Sequence, residues 1–261
     1  GGIRRLARPI AVPLGDQATI AEIPQRRPYR SPLRQYVGNA GTQSLPGQHG
    51  LRPERVRQAE EIIDGIEVRA QHQQMARIGA GVNYTGVEES PLLRETAGCL
   101  VQAAHEVGGP AIRNAGTLGG NIINAAACAD STPALVCLDA VAHLQSLSGS
   151  RSLPVAELVT GANRTGIQPG ELLTHFTFPV PPAGTGQSFI KLGRRNAQAI
   201  SRLAMAAAAR LDPAGCVDYV RLAPGAAMPR TRRFTEVEAL LLGQAPADEL
   251  FAAAGAKTAE V

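Results

Sequence analysis

The stretch "AIRNAGTLGGNIINAAACADSTPALVCLDA", residues 111–140, constrains this chain more than any other. It sets Gly116, Gly119, Gly120 and three asparagines among small residues, between apolar runs that read as buried structure. Glycine has no Cβ, so a backbone rich in it can lie close to another group. Successive N–H groups in such a loop form a nest suited to phosphate. Thr117 and Asn121 add side-chain hydrogen bonds at its rim, and Asp130 supplies an acceptor for the hydroxyls of a sugar or polyol. Phosphate and polyol together suggest a nucleotide cofactor. The plainer alternative is a tight turn whose glycines only permit positive φ, with Asp130 capping the helix at "STPAL". Two phosphate motifs are excluded by spacing: there is no GxxxxGK[ST], and "GAGVNY" from Gly79 fails GxGxxG at its last position.

The flanking sequence predicts an α+β fold. "EEIIDGIEVRA" and "ARIGAGVNYTGVEES" read as short strands with turn glycines that lead into a helix. "SPLLRETAGCLVQAAHEV" reads as one helix, with Ser90 as its cap, Pro91 at its first position and "GGP" after it. "TPALVCLDA" is helix or strand by periodicity, "AVAHLQSL" an alternating strand and "ELLTHFTFP" another. A Pro/Gly hinge at 179–186 marks a domain boundary. Beyond it, "AISRLAMAAAARLD" is strand or helix, "CVDYVRLAPGA" a strand, and "TRRFTEVEALLLGQ" a capped amphipathic helix closed by Gly243. The mixed order lacks the regular βαβ alternation of a parallel sheet. "QYV", residues 35–37, reads as a short strand entering a glycine turn.

Composition narrows the function classes. The 261 residues can bury a sizeable core, and 44% hydrophobic against 18% charged is a globular balance. No apolar run reaches the roughly 18 residues of a membrane helix, and "GGIRRLARPIAVPLG" is a poor secretory signal, so a cytoplasmic location is the simplest expectation. The net charge is +4, but the arginines are scattered with few aromatics nearby, and no nucleic-acid surface is expected. Cys99, Cys128, Cys137 and Cys216 form no CxxC pair and read as small buried hydrophobes. His105, His143 and His175 are isolated on apolar segments and read as core or surface histidines, so no metal site is expected.

Taken together and in order, these segments resemble one family. "IRNAGTLGGNI", a small-residue run, Asp130, a proline and "ALVCLDA" are similar to the FAD-binding subunit of the molybdenum hydroxylases, the xanthine dehydrogenase and carbon monoxide dehydrogenase family. "RIGAGVNYTGVEESPLLRE" before the loop, "GSRSLPVAELVTG" and "PGELLTHFTFP" after it, and "FIKLGRRNAQAIS" with "RLAPGAAMPRTRRFTEVEALLLG" extend the resemblance from about Glu60 to Gly243. "ADSTPAL" is most like the xanthine dehydrogenase type. Upstream, "NAGTQSL" stands where the family has its first FAD loop, usually AGGTDLL. Here Ala40 replaces a glycine of close approach, and Gln43 replaces a carboxylate with an amide that still hydrogen-bonds.

The resemblance implies a two-subdomain FAD-binding fold of the vanillyl-alcohol-oxidase-like type over residues 1–178, divided near 58, and a smaller α+β C-terminal domain over 187–261. It implies that Val37, Gly38, Asn39, Ala40, Gly41, Thr42, Gln43 and Ser44 form a first loop along the FAD diphosphate. Thr117, Leu118, Gly119, Gly120 and Asn121 would form the second through their N–H groups. Asp130 would bind FAD hydroxyls, with Leu173 and Lys191 near the isoalloxazine. Lys191 also stands out chemically, since this chain holds only two lysines among 26 basic residues. A cation at the flavin would stabilise negative charge there and raise its potential; the plainer reading is a surface lysine.

No side chain would be catalytic in itself, because the reactive atom would be flavin N5. The implied partners are a large subunit with a molybdenum-pterin cofactor and a small subunit with two [2Fe-2S] clusters, as a dimer of heterotrimers. The implied activity is electron transfer from those clusters through FAD to NAD+ or another acceptor. Two alternatives stay open: a flavin subunit of a carbon monoxide, nicotinate or aldehyde dehydrogenase, and a flavin-free scaffold subunit. Some relatives carry an extra cluster on a four-cysteine insertion; Cys128 and Cys137 stand without it, so none is expected here.

Overall fold

A computed structural model describes residues 63–260 except 72. The expected first FAD loop, Val37–Ser44, and the strand expected at 35–37 lie outside these residues. Among the described residues, strands β1 (Ile66–Gln71), β2 (Gln73–Gly79), β3 (Val141–Ser146), β4 (Gly149–Pro154) and β7 (Leu172–Pro179) form an antiparallel sheet in the order β1-β2-β7-β3-β4. Strands β5 (Val159–Gly161) and β6 (Arg164–Thr165) make a small hairpin. Strands β8 (Gly186–Gly193), β9 (Ser201–Leu211) and β10 (Val217–Gly225) make a second sheet, ordered β10-β9-β8.

Period-two patterning decides each strand's buried face. In β3, Ala142 and Leu144 are buried, and in β7 Phe176 and Phe178 are, so one face of the large sheet is apolar. Helices lie on that side: α1 (Tyr84–Glu89), α2 (Pro91–Thr96), α3 (Gly98–His105), α4 (Pro110–Ala115), α5 (Leu118–Asn124), α6 (Ser131–Cys137) and the single turn α7 (Val155–Leu158), of which α4 buries no residue and packs on α1. Every residue of α6 is buried. It packs against α3 on one side and β9 and β10 on the other, joining both sheets into one core. Ala204, Ala206 and Ala208 on β9 make room for it, and a Cβ on Gly225 would lie 2.7 Å from Pro133 Cγ. Helices α8 (Thr235–Leu241) and α9 (Asp248–Glu260) pack with β10 around Phe234 and Val237.

Three expectations are corrected. The helix expected across residues 90–107 is two helices, because Ala97 leaves helical geometry at φ −142° and ψ 47°. Its N–H still bonds Leu93 O, so the chain turns there without losing a donor. Ser90 does cap the first of them, accepting from the Leu93 N–H. The helix of "TRRFTEVEALLLGQ" has Phe234 at its N-cap and no side-chain cap bond. Third, the glycine motif is not a loop: Leu118–Asn124 is a helix with Thr117 as its N-cap.

Candidate functional site

The glycines of the motif serve helix packing. Thr117 Oγ1 accepts from the Gly120 N–H at 3.0 Å. The Leu118 N–H donates to Val82 O, the Gly119 N–H to Ala80 O and the Asn121 N–H to Thr117 O, at 2.9, 2.8 and 3.1 Å. The expected nest of N–H donors from Leu118 to Asn121 is therefore already spent within the chain. The physical reason is proximity: a Cβ on Gly119 would lie 2.7 Å from Ala80 O, so the helix start sits directly on the turn after β2. Gly116 is similarly placed, with Ile112 O 3.0 Å from a would-be Cβ.

Side chains carry the polar chemistry that the backbone does not. Asn121 Oδ1 accepts from Ser131 Oγ at 2.6 Å, and Ser131 Oγ lies 3.4 Å from Tyr84 Oη. With its carbonyl held, Asn121 keeps an amide NH2 whose donors are uncommitted to Ser131. Burial pushes the Tyr84 phenol well above its ordinary range, so it stays neutral.

Next to Ser131 stands Asp130. It makes no cap bond to α6, which removes the plainer reading of this residue. Its Oδ2 accepts from Lys191 Nζ at 2.7 Å, and its Oδ1 accepts from the Ser201 hydroxyl. Lys191 Nζ also donates to Glu106 O at 2.9 Å, at the C-terminus of α3. The two charged side chains are only 5% and 7% exposed, so Lys191 is not a surface lysine. Burial pushes the Asp130 carboxyl upward, opposed by the hydrogen bonds from Lys191 and Ser201. Beside them the Thr132 hydroxyl is buried without a hydrogen-bond partner among the described residues. A cleft of about 250 Å3, lined by Glu106, Gly108, Arg113 and Asn196 among others, opens on the same end of α3.

The structure thus brings Asp130 and Lys191 into contact and sets Asn121 on the neighbouring Ser131. Leu173 is buried on β7 within the core, and α5 packs against that strand. Sequence reasoning missed Tyr84, Ser131 and Ser201. All three lie within the motifs that carry the resemblance, but nothing in a lone hydroxyl announces its partner. His143 and His175 face each other across β3 and β7 with rings stacked at 4.2 Å, and His105 is exposed beside Glu88. Cys99 and Cys137 are buried, Cys128 and Cys216 half-buried, and all four are free.

This is an α+β chain whose polar site is built at the seam of two sheets, with acceptors from one side and donors from the other. Residues 21–181 match the family described as FAD binding domain in molybdopterin dehydrogenase, and residues 188–261 match the CO dehydrogenase flavoprotein C-terminal domain. The chain belongs to this family of FAD-binding flavoprotein subunits. It is 31% identical over 169 residues to the nicotinate dehydrogenase FAD-subunit of Eubacterium barkeri, covering 64% of this chain and 57% of that one. It is 35% identical over 163 residues to the xanthine dehydrogenase FAD-binding subunit of Escherichia coli O157:H7, covering 62% and 56%. These matches span little more than half the length of the curated relatives. Its fold matches a chain of carbon monoxide dehydrogenase from Hydrogenophaga pseudoflava with a TM-score of 0.71 at 26% identity, over 77% of this chain and 68% of that one. Among the described residues no helix is long and apolar enough to cross a membrane, and no group of three metal-ligating side chains occurs.

Proposed function

We propose that this chain is the FAD-carrying, medium subunit of a heteromeric molybdenum hydroxylase of the xanthine dehydrogenase type. The observation that carries this reading is the buried Lys191–Asp130 pair beside Asn121, in a chain whose family is defined by an FAD-binding domain. The polar set fits the cofactor: a held asparagine amide and an ammonium as donors, a carboxylate as acceptor for hydroxyls, and the unspent Thr132 hydroxyl. When bound, FAD supplies the redox chemistry, taking electrons from partner iron–sulfur clusters and passing a pair to NAD+ or another acceptor.

What this chain contributes is binding, orientation and charge. Asn121 would donate to the cofactor's polar chain while Ser131 fixes its carbonyl. Asp130 would accept from cofactor hydroxyls with its remaining lone pairs, since each oxygen already holds one protein donor. Lys191 would place a positive charge at the flavin, worth more in a buried site than in water. Lys191 and Ser201 come from the residues matched to the C-terminal domain and Asp130 from those matched to the FAD-binding domain. The groups that would hold the cofactor then come from both matched domains, which already share one core. Because Val82, Ala80 and Thr117 already take the helix N–H groups at Leu118–Asn121, the residues Val37–Ser44 would carry the diphosphate in this reading.

The test is the visible spectrum of the purified protein, followed by acid release and identification of the chromophore. About one FAD per chain supports the flavin subunit. No flavin, even after incubation with FAD, overturns it in favour of a scaffold subunit.

A further inference from the structure

Ser201 opens β9 at a place where the strand breaks its own alternation. Leu203 pairs with Leu192 and Ser201 with Gly193, so Arg202 is an extra residue in β9. By simple alternation Ser201 would share the outward face of Leu203, which is 45% exposed. The bulge at Arg202 turns it inward, where it is 6% exposed and its hydroxyl meets Asp130 Oδ1. Bulges commonly re-aim a side chain in this way beside a functional site. The result is a carboxylate with one donor on each oxygen, both from the β8–β9 edge.

We infer that Ser201 is a positioning residue of the flavin site, holding Asp130 ionised and oriented for cofactor hydroxyls, and that it sets the lower pH limit of FAD retention. This rests on the flavin reading above. The groups around Asp130 support it. Glu106 at the end of α3 adds to burial in disfavouring the charged carboxylate, while the Tyr84 phenol on α1 stays neutral and adds no charge. Lys191 from β8 and Ser201 from β9 are the groups that oppose them. A hydroxyl that donates to a carboxylate favours its charged form, so removing it moves protonation of Asp130 to higher pH. A protonated Asp130 loses its charge and part of its acceptor capacity.

The experiment follows FAD release from the loaded chain by the fluorescence of the freed flavin, as pH is lowered from 8 to 4, for the parent protein, S201A and S201T. Thermal unfolding at each pH is recorded in parallel. The release midpoint of S201A is expected about one pH unit above the parent's, with S201T, which keeps the hydroxyl, returning it to the parent value. Equal midpoints in S201A and parent, or a loss of FAD that is uniform across pH and follows unfolding, would overturn the role of Ser201. A parent protein that takes up no FAD at any pH overturns the flavin reading itself and this inference with it.

Discussion

Lys191 Nζ lies 2.7 Å from Asp130 Oδ2, bridging residues that are 61 apart in the chain, with neither side chain more than 7% exposed. A buried pair of this kind is costly to break, because the survivor keeps its charge without compensation. Asp130→Asn and Lys191→Met are each expected to destabilise the protein by about 3–5 kcal/mol. The double variant should recover much of that loss, since it removes both charges. Urea unfolding of the three variants checks this; a double variant as unstable as the two singles added together would show that the pair is not coupled.

Gly119 and Gly120 look equivalent in the sequence and are not equivalent in the fold. A methyl on Gly119 would meet Ala80 O at 2.7 Å and Ala80 Cβ at 2.6 Å, and neither can move without shifting the turn after β2. A methyl on Gly120 would meet only Thr117 Oγ1, at 2.8 Å, the end of a rotatable side chain. Gly119→Ala should therefore cost about 1–3 kcal/mol as an overpacked site. Gly120→Ala should cost about 1 kcal/mol, the worth of the displaced cap. Flavin content should fall in the same order. The reverse order in both measurements would mean that the helix start is not seated on Ala80.

Much of this arrangement was legible in the sequence, and particular residues show where legibility stopped. The strands at β3, β7 and β10 follow from alternation, and the family resemblance singles out Asp130 and Lys191, which the fold brings into contact. Lys191 is instructive because β8 buries its lysine and exposes Ile190 and Leu192, at 68% and 60%. Hydrophobicity alone would turn the strand over; Phe189, which shares the inward face with Lys191, fixes it the other way. The glycine cluster reads in the sequence as a loop and folds as a helix start, because Ala80, the backbone it approaches, is distant in sequence and carries no mark of the contact. Ser201 was invisible for a similar reason: its direction depends on a bulge, and a bulge is decided by pairing with another strand. "AMAAAA" could not choose between helix and strand, because alanine favours helices locally while β8 and β10 recruit it into a sheet.

Glu238 anchors the helical cap on the second sheet. It is 3% exposed, accepts from the Leu222 N–H at 2.8 Å and pairs with Arg233, which also reaches both oxygens of Asp139. Replacing it with leucine leaves the Leu222 N–H without this acceptor and removes one of two carboxylates from Arg233. The expected cost is about 3 kcal/mol. Glu238→Gln keeps an oxygen for the N–H and should cost clearly less. Denaturant unfolding measures both, and equal losses in the two variants would assign the effect to charge alone.

Arg151 and Glu171 give the clearest pH signature on the surface of the large sheet. Arg151 Nε and Nη2 donate to the two oxygens of Glu171 at 2.6 and 2.8 Å, and the Gln168 N–H adds a third bond at 2.7 Å. These bonds, the arginine's first, hold the carboxyl at about 2, below its ordinary 4.5. A depressed carboxylate stabilises the fold fully above the unfolded value, and that contribution fades as pH falls from about 4.5 through about 2. Its size is small at an exposed site screened by solvent. The Glu171 carboxyl carbon, followed by NMR, should titrate near 2 in the parent. In Arg151→Gln the midpoint should rise toward the ordinary value without reaching it, because the Gln168 bond remains. An unchanged midpoint in that variant would transfer the depression from Arg151 to the backbone turn at Gln168.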